Sequence, residues 1–240
     1  MLDMKLSDYK LGHLEDVAHI YTAHGFSKIS DKKEVSHYIY CSKFYEPTMK
    51  LAMVSQETSF AEGFVITPKD GCNIMFLVAI LDSTPGRIYL SAGNLKRRKA
   101  ITMKALSSLP IRLISDTQQS GIAYLYYLVL CVKEMILSGS DDRNLQFRKE
   151  FYQEVLDDIA LEILIPEVFE ENHIGILSEW LEVIGICCKG NKDISMEQQQ
   201  EEIGNYVLQP GNKLTNSVKL FRFINDEIEK QFEKHEMENQ

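Results

Sequence analysis

The densest group of side chains able to bind a ligand is a cationic segment that opens with an amide. Its members are Asn94, Lys96, Arg97, Arg98 and Lys99. Lysine and arginine neutralise phosphates, arginine can bridge two acceptors of guanine, and asparagine can pair with adenine. The segment therefore predicts contacts to DNA phosphates and base edges. The alternative is a solvated basic loop that binds nothing.

Thr102 and Lys104 follow this segment at the start of a short helical pattern that runs to Leu106. Backbone N–H groups converge at a helix start, so these two side chains are placed to help hold a phosphate there. Thr102 is equally suited to be a plain helix N-cap, and the two roles are compatible.

Two other places carry residues suited to DNA. His24, Ser27 and Lys28 follow a short predicted helix, and Lys43 precedes the aromatic pair Phe44-Tyr45. An aromatic side chain next to lysine can stack on a base while the lysine neutralises a phosphate. The alternatives are a surface turn for the first group and a lysine-guarded strand edge for the second.

A few other side chains could suggest a metal site or acid–base catalysis, but their spacing and their position on the predicted helices argue against both. His19, His24 and Cys41 suggest zinc, but their spacing is not that of a structural site and no Cys-x-x-Cys pair occurs. Asp157-Asp158 and Glu170-Glu171 are paired carboxylates on predicted polar helix faces, where solvation is expected rather than catalysis. We predict no metal site.

The chain also lacks the common signatures of catalysis. It contains no Gly-x-Ser-x-Gly motif, no Gly-x-Gly-x-x-Gly or Walker loop, and no Asn-Pro-Pro-aromatic motif of adenine methyltransferases. The Pro-Asp pair of common nucleases is missing too. We therefore expect a protein that is not an enzyme, that needs no cofactor, and that borrows its chemistry from a partner.

Charge is divided unequally along the 240 residues. The whole chain has a formal net charge of -9, yet residues 1–115 hold 15 basic and 11 acidic residues, a net charge of +4. Residues 116–240 hold 11 basic and 24 acidic residues, a net charge of -13. Because phosphate attraction depends on the local field, the first half can face DNA, while the second suits a protein partner.

Compartment follows from the apolar stretches and the cysteines. Met1 to Lys10 is charged, which argues against a signal peptide, and Ile122 to Val132 is too short for a bilayer, which needs roughly 20 residues. That stretch is expected to be a buried helix. Five cysteines without framework spacing fit a reducing cytosol. We predict a cytoplasmic protein with no membrane partner.

Periodicity predicts an α+β domain over residues 5–116. Leu14, Val17, Ala18 and Tyr21 recur at helical spacing. Strands are predicted at 35–40, 51–54, 63–67 and 111–114, a turn at 68–71, and helices at 73–81 and 105–108.

The second half is predicted to be helical. The expected parts are a helical region at 118–188, a polar linker at 189–214 and a C-terminal helix at 215–237. In the helix that ends at Pro166, Phe151, Val155 and Ile159 should be buried. The acidic residues of that helix should face solvent or a partner; they are Glu154, Asp157, Asp158 and Glu162.

The order of motifs in the first half resembles a known family. An apolar helical segment from Leu77 to Asp82 is predicted to end at a turn with the sequence Ser-Thr-Pro-Gly. After it come, in order, the cationic segment, the helix start Ile101-Thr102 and the strand Leu109-Pro110-Ile111. This order resembles the closing half of the target recognition domain of type I restriction specificity subunits and type IIG relatives. Asp82 stands where asparagine is usual. Residues 9–26 resemble the opening of that domain, and 149–166 resemble a helix near the C-terminus of methyltransferase-linked specificity regions.

The resemblance implies a non-catalytic DNA-binding specificity component of a restriction–modification system. Its helical half would dock a DNA adenine methyltransferase. Because the chain has one recognition domain, it would be a half-subunit that forms a homodimer, or a piece split from a larger enzyme. Two alternatives stay open: a small helical interaction module, such as an inhibitor or antitoxin-like binder without DNA binding, and an enzyme with an unrecognised site.

Overall fold

The structure is a computed structural model that describes residues 10–23, 37–43, 51–55, 62–92, 100–140, 143–188 and 194–238. For 51–55, 91–92 and 226–238 it describes the backbone alone. The fold is α+β, as predicted, with antiparallel sheets and many helices. The chain divides into two compact units, Met1–Tyr126 and Tyr127–Gln240, and the division falls inside one long helix.

Unit 1 contains two antiparallel sheets. Its described strands are β1 (Leu11–His13), β2 (Ala18–Thr22), β3 (His37–Ser42), β4 (Leu51–Ser55), β5 (Gly63–Pro68) and β6 (Pro110–Arg112). β1 pairs with β6, and the larger sheet has the order β2-β5-β3-β4. The strands predicted at 51–54 and 63–67 are confirmed as β4 and β5, and the strand predicted at 35–40 is confirmed from His37 onward as β3, while residues 35 and 36 lie outside the described residues. The strand predicted at 111–114 is shorter and begins one residue earlier.

The helix predicted from Leu14 to Tyr21 is only one turn long. Helix α1 covers Leu14–Val17, and the chain then becomes strand β2, in which Ile20 lies opposite Ile66 of β5. The apolar residues of a short segment can fit helical and alternating spacing at the same time. Here residues 18–22 form a strand because they pair with β5. Leu14 and Val17 still face the core as predicted.

Three more helices are described in unit 1 before the long one. They are α2 (Ile74–Asp82), α3 (Thr84–Ala92) and α4 (Met103–Ser107). The side chain of Asn73 accepts hydrogen bonds from the N–H groups of Met75 and Phe76, which defines the start of α2. All of Met75 to Leu81 is buried, so α2 is the core helix of this unit.

The Ser-Thr-Pro-Gly segment was predicted to be a turn, but it begins a second helix. The hydroxyl of Ser83 accepts from the N–H of Gly86 at 3.2 Å, as an N-cap does. A Cβ on Gly86 would lie 2.1 Å from the carbonyl oxygen of Ile80. Glycine is therefore required for α3 to start this close to the end of α2.

Helix α5 (Asp116–Leu137) has 22 residues, longer than the apolar stretch within it. Among the described helices it alone is long and apolar enough, by length and composition, to cross a membrane. One such helix is weak evidence, because core helices of soluble proteins meet the same criteria. Leu125, Val129 and Val132 are fully buried, as the sequence predicted.

Unit 2 is built from helices. Those described after α5 are α6 (Leu145–Leu164), α7 (Pro166–Glu171), α8 (Ile176–Cys187), α9 (Met196–Val207) and α10 (Lys213–Glu238). Helix α8 packs against α6, α9 and α10. Trp180 of α8 is fully buried, and the rings of Phe169 and Phe221 stack with centroids 4.3 Å apart.

Helix α9 lies where the sequence predicted a polar linker at 189–214. Ser195 and Gln198 form a reciprocal capping box at its start. Gln200, Ile203 and Val207 are buried at helical spacing, so one face of this polar segment belongs to the core. The C-terminal helix predicted at 215–237 is present as α10.

The prediction for the faces of α6 is half right. Phe151, Val155 and Ile159 are buried, as expected. The prediction that Asp158 and Glu162 face solvent or a partner is wrong, because both side chains are buried. The cause is that α8 and α10 cover this side of α6: Glu162 accepts from the N–H of Leu177 at 2.8 Å, and Arg222 of α10 reaches Glu154.

Candidate nucleic-acid interface

The described part of the predicted DNA-binding set meets at one corner of unit 1. Lys43 follows β3, while Thr102 and Lys104 lie at the start of α4, and all three side chains reach solvent. The N–H of Ile101 donates to the carbonyl of Lys43 at 2.7 Å, so the start of α4 is fixed beside the end of β3. We call Lys43, Glu62, Ile101, Thr102 and Lys104 the Lys43 corner.

The backbone of the Lys43 corner is held by the pairing of β3 with β5. The carbonyl of Glu62 accepts from the N–H of Lys43 at 3.3 Å and from the hydroxyl of Tyr40 at 3.1 Å. A Cβ on Gly63 would lie 2.5 Å from the carbonyl oxygen of Cys41. Glycine is therefore needed where β5 begins, and the corner does not depend on loop geometry alone.

The charges of the corner are in contact with solvent. The Lys43 ammonium lies 3.1 Å from the Glu62 carboxylate, and these side chains are 45% and 72% exposed. An ion pair of this kind contributes only about 0–1 kcal/mol to stability, so Lys43 can exchange its partner at little cost. Together with Lys104, the described corner carries two cationic groups and one anionic group.

Thr102 has the N-cap role that the sequence offered as one of two explanations. Its hydroxyl accepts from the N–H of Ala105 at 3.1 Å, at the start of the five-residue helix α4. The hydroxyl is thus used within the helix, and Lys104 is the more available of the two side chains for a phosphate.

Most of the predicted DNA-binding residues lie outside the described residues. They are His24, Ser27, Lys28, Asn94, Lys96, Arg97, Arg98 and Lys99. The described chain ends at Ala92 and resumes at Ala100, directly before Ile101 of the Lys43 corner.

Sequence reasoning missed a polar cluster around Asp82. The Asp82 carboxylate accepts from the hydroxyl of Tyr126 at 3.0 Å and is paired with the guanidinium of Arg87. Arg87 also donates to the carbonyl of Asp82 at 3.0 Å. Burial raises the pKa of the Tyr126 hydroxyl, and the Asp82 charge raises it further. The residue that departs from the resembled motif therefore ties α2 to α3 and α5.

Gln119 was missed as well. Its side-chain oxygen accepts from the N–H of Asn73 at 2.8 Å, and its amide donates to the carbonyls of Gly71 and Ile114. This buried amide joins the start of α5 to the turn before α2. A single glutamine in the first turn of an apolar helix carries no pattern that could have revealed this role.

The described residues show no centre for a metal ion: no three or more His, Cys, Asp or Glu side chains converge on one. Of the three residues that could suggest zinc, His24 lies outside the described residues. His19 is exposed and lies opposite Thr67 in the sheet, whereas Cys41 is fully buried. Burial raises the pKa of the Cys41 thiol to about 12. None of the five cysteines, all of which lie in the described residues, forms a disulfide.

Comparison with known proteins finds no match among family models, curated proteins or solved structures. The geometry of the Lys43 corner and the charge of the chain therefore carry the functional argument.

Proposed function

We propose that this protein is a non-catalytic, sequence-specific DNA-binding component of a restriction–modification system. Residues 5–116 act as a target recognition domain and present duplex DNA to a partner methyltransferase or nuclease. The observation that carries the proposal is the 2.7 Å hydrogen bond between Ile101 and Lys43, which joins two separately predicted DNA-binding segments. The motif order of the sequence supplies the family.

The charge distribution supports DNA as the ligand. Residues 1–115 have a net charge of +4 although the chain as a whole is acidic. In the sequence, Lys96, Arg97, Arg98 and Lys99 directly precede Ala100, which is followed by Ile101 of the Lys43 corner. Cations near duplex DNA release bound counterions, and this gain drives sequence-independent affinity.

The helical second half is proposed to bind protein. Residues 116–240 have a net charge of -13, which repels nucleic acid. Leu220 and Phe223, three residues apart on α10, are 46% and 62% exposed. We propose that this half docks a DNA adenine methyltransferase subunit and pairs with a second copy of itself in the cytoplasm.

Fluorescence anisotropy with duplex fragments, with and without a methyltransferase, tests the proposal. Affinity should fall with salt concentration: the logarithm of the binding constant, plotted against the logarithm of the salt concentration, should have a slope of about -0.9 per phosphate contact. Replacing Arg97 and Arg98 with Ala should flatten the slope by about 2. A matched double variant, Arg143→Ala with Lys219→Ala, removes the same charge from exposed positions of unit 2 and should leave the slope unchanged.

The second candidate is a helical interaction module, inhibitory or antitoxin-like, that never touches DNA. It is favoured by the exposed apolar side chains of α10 together with the acidic character of unit 2. Absence of duplex binding at low salt, with or without a methyltransferase, would exclude the DNA-specificity role and leave this candidate.

A further inference from the structure

The Lys43 corner contains one acidic side chain that the basic character of a DNA interface does not explain. Glu62 is exposed, and one of its carboxylate oxygens lies 3.1 Å from the Lys43 ammonium. Among the described residues, no hydrogen bond reaches its other carboxylate oxygen. An interface that served phosphate attraction alone would gain from a neutral residue here.

The position of Glu62 is set by its backbone. Its carbonyl is held by the N–H of Lys43 and the hydroxyl of Tyr40, and Gly63 follows it into β5. These bonds fix the Glu62 backbone beside Lys43, next to the segment that enters α4. The exposed side chains of Lys43 and Glu62 therefore present a cation and an acceptor side by side.

We propose that Glu62 is a specificity-determining residue that accepts a hydrogen bond from an exocyclic base amino group in the major groove. This inference rests on the proposed DNA-binding function. Carboxylates accept from the N4 amino group of cytosine, and the N6 amino group of adenine offers the same donor. At a cognate site this bond offsets the repulsion between Glu62 and phosphate, whereas elsewhere the repulsion is uncompensated.

Lys43 and Glu62 then have complementary tasks. On meeting DNA, Lys43 exchanges the carboxylate for a phosphate, which costs little because the pair is exposed. Glu62 is released with both oxygens open and needs a donor. Only a sequence that places an amino group there supplies one, so the pair lowers affinity for random DNA more than for the target.

Glu62→Met tests this, because methionine has a similar length and removes both acceptor oxygens. Selection from a random duplex library first yields the target of the parent protein, and competition titrations then compare target with random DNA. We expect Glu62→Met to bind random duplexes more tightly than the parent. The ratio of target to random affinity should drop roughly ten- to hundred-fold. Information at one cytosine or adenine position should be lost when selection is repeated with the variant.

Glu15→Met is the matched control, since it makes the same substitution at an exposed position of unit 1. It should keep the parent's target and affinity ratio. If Glu62→Met keeps both as well, the inference is overturned while DNA binding stands. If the parent itself binds no duplex at low salt, the proposed function fails before this experiment begins.

Discussion

Asp82 lies at the end of α2 and contacts two other helices. It accepts the Tyr126 hydroxyl at 3.0 Å and pairs with Arg87, and its side chain is only 16% exposed. Hydrogen bonds to a charged group contribute more than neutral ones, about 1.5–3 kcal/mol each. Asp82 thus stabilises unit 1 through its charge, which explains why the asparagine usual in the resembled motif would not be equivalent here.

Asp82→Asn should therefore destabilise unit 1 by about 1–2 kcal/mol, because the amide keeps one acceptor but loses the ion pair with Arg87. Calorimetric melting measures the change. Asp70→Asn, at an exposed position of the turn before α2, is the control and should melt like the parent. Equal melting of Asp82→Asn and Asp70→Asn would show that the Asp82 contacts contribute nothing.

Gln119 supports a second prediction at the residue scale. Gln119→Leu would leave the N–H of Asn73 and the carbonyls of Gly71 and Ile114 without their partner inside the protein. An unsatisfied buried group costs about 1–3 kcal/mol, and only the bond to the Ile114 carbonyl is fully buried, so we expect unit 1 to lose about 1–3 kcal/mol. Ser120→Ala, at the exposed neighbouring position, should be neutral in the same urea titration. Similar unfolding midpoints for the two variants would contradict the role given to Gln119.

The candidate site was predictable from sequence only where residues of one type cluster. The basic segment at 96–99 could be predicted from its composition, and Thr102 from its position before a helical pattern. Glu62 does not, because a single acidic residue before a strand has no pattern. Its position beside Lys43 arises from the pairing of Ser42 with Gly63, a contact between residues far apart in the chain.

At the scale of elements, β3, β4 and β5 were predictable because β-branched and aromatic residues mark them, whereas β1 was not predicted and β2 was predicted as part of a helix. Helix α9 was not predicted either, because seven of its twelve residues are Glu, Gln or Asn. The signal that could have found it is Ser195 followed three residues later by Gln198, a capping box. Behind that cap, Gln200, Ile203 and Val207 recur at helical spacing, and two apolar residues suffice because α8 supplies the rest of the contact.

Helix α6 carries buried carboxyl groups, which gives unit 2 a dependence on pH. Burial and the neighbouring carboxylates Glu154 and Asp157, opposed by Arg222, together raise the pKa of Asp158 to about 8. Burial likewise raises the pKa of Glu162 to about 7, opposed by the N–H group of Leu177. At neutral pH, folded unit 2 therefore retains protons that the unfolded chain gives up.

The sign follows from the number of protons bound. An unfolded carboxyl titrates near about 4, so between about pH 4 and 8 the folded state binds more protons than the unfolded state. The free energy of unfolding should thus fall as pH rises through this window and level off above it. Trp180, the only tryptophan of the chain and fully buried in α8, reports the unfolding of unit 2 by fluorescence.

Asp158→Asn should flatten this dependence, because asparagine mimics the protonated acid and cannot ionise. We expect the variant to match the parent at about pH 4 and below, and to exceed the parent's stability by a margin that grows up to about pH 8. Glu201→Gln removes one charge from an exposed position of α9 and should keep the parent's slope between pH 6 and 8. Parallel curves for the parent and Asp158→Asn would contradict the buried, protonated state of Asp158.

At the scale of the whole molecule, the two units differ in charge as well as in structure. Residues 1–115 are net basic and 116–240 strongly acidic. A single recognition domain contacts one half-site, whereas a two-fold dimer reads two related half-sites and adds their affinities. Because DNA repels the acidic unit, we expect that unit to form the dimer contact rather than to bind DNA.

Helix α10 is the element expected to form that contact. It has 26 residues, a length of about 39 Å. Val218 and Phe221 are buried within unit 2, while Leu220 and Phe223 are exposed on another face. Removing residues 203–240 would also remove the buried Val207, so substitutions at the exposed positions separate assembly from folding more cleanly than truncation does.

Leu220→Glu with Phe223→Glu should convert a dimer to a monomer of 27.6 kDa, because two charges on each copy would be buried against each other. Light scattering measures the mass, and the fluorescence of Trp180 verifies that unit 2 remains folded. Leu137→Glu with Leu208→Glu, at apolar positions that are 85% and 48% exposed outside α10, is the control and should retain the parent's mass. Because a monomer would hold only one copy of the proposed recognition domain, the α10 variant should also bind a two-fold site no more tightly than a single half-site. A folded α10 variant with the parent's mass would exclude this face of α10 as the dimer contact.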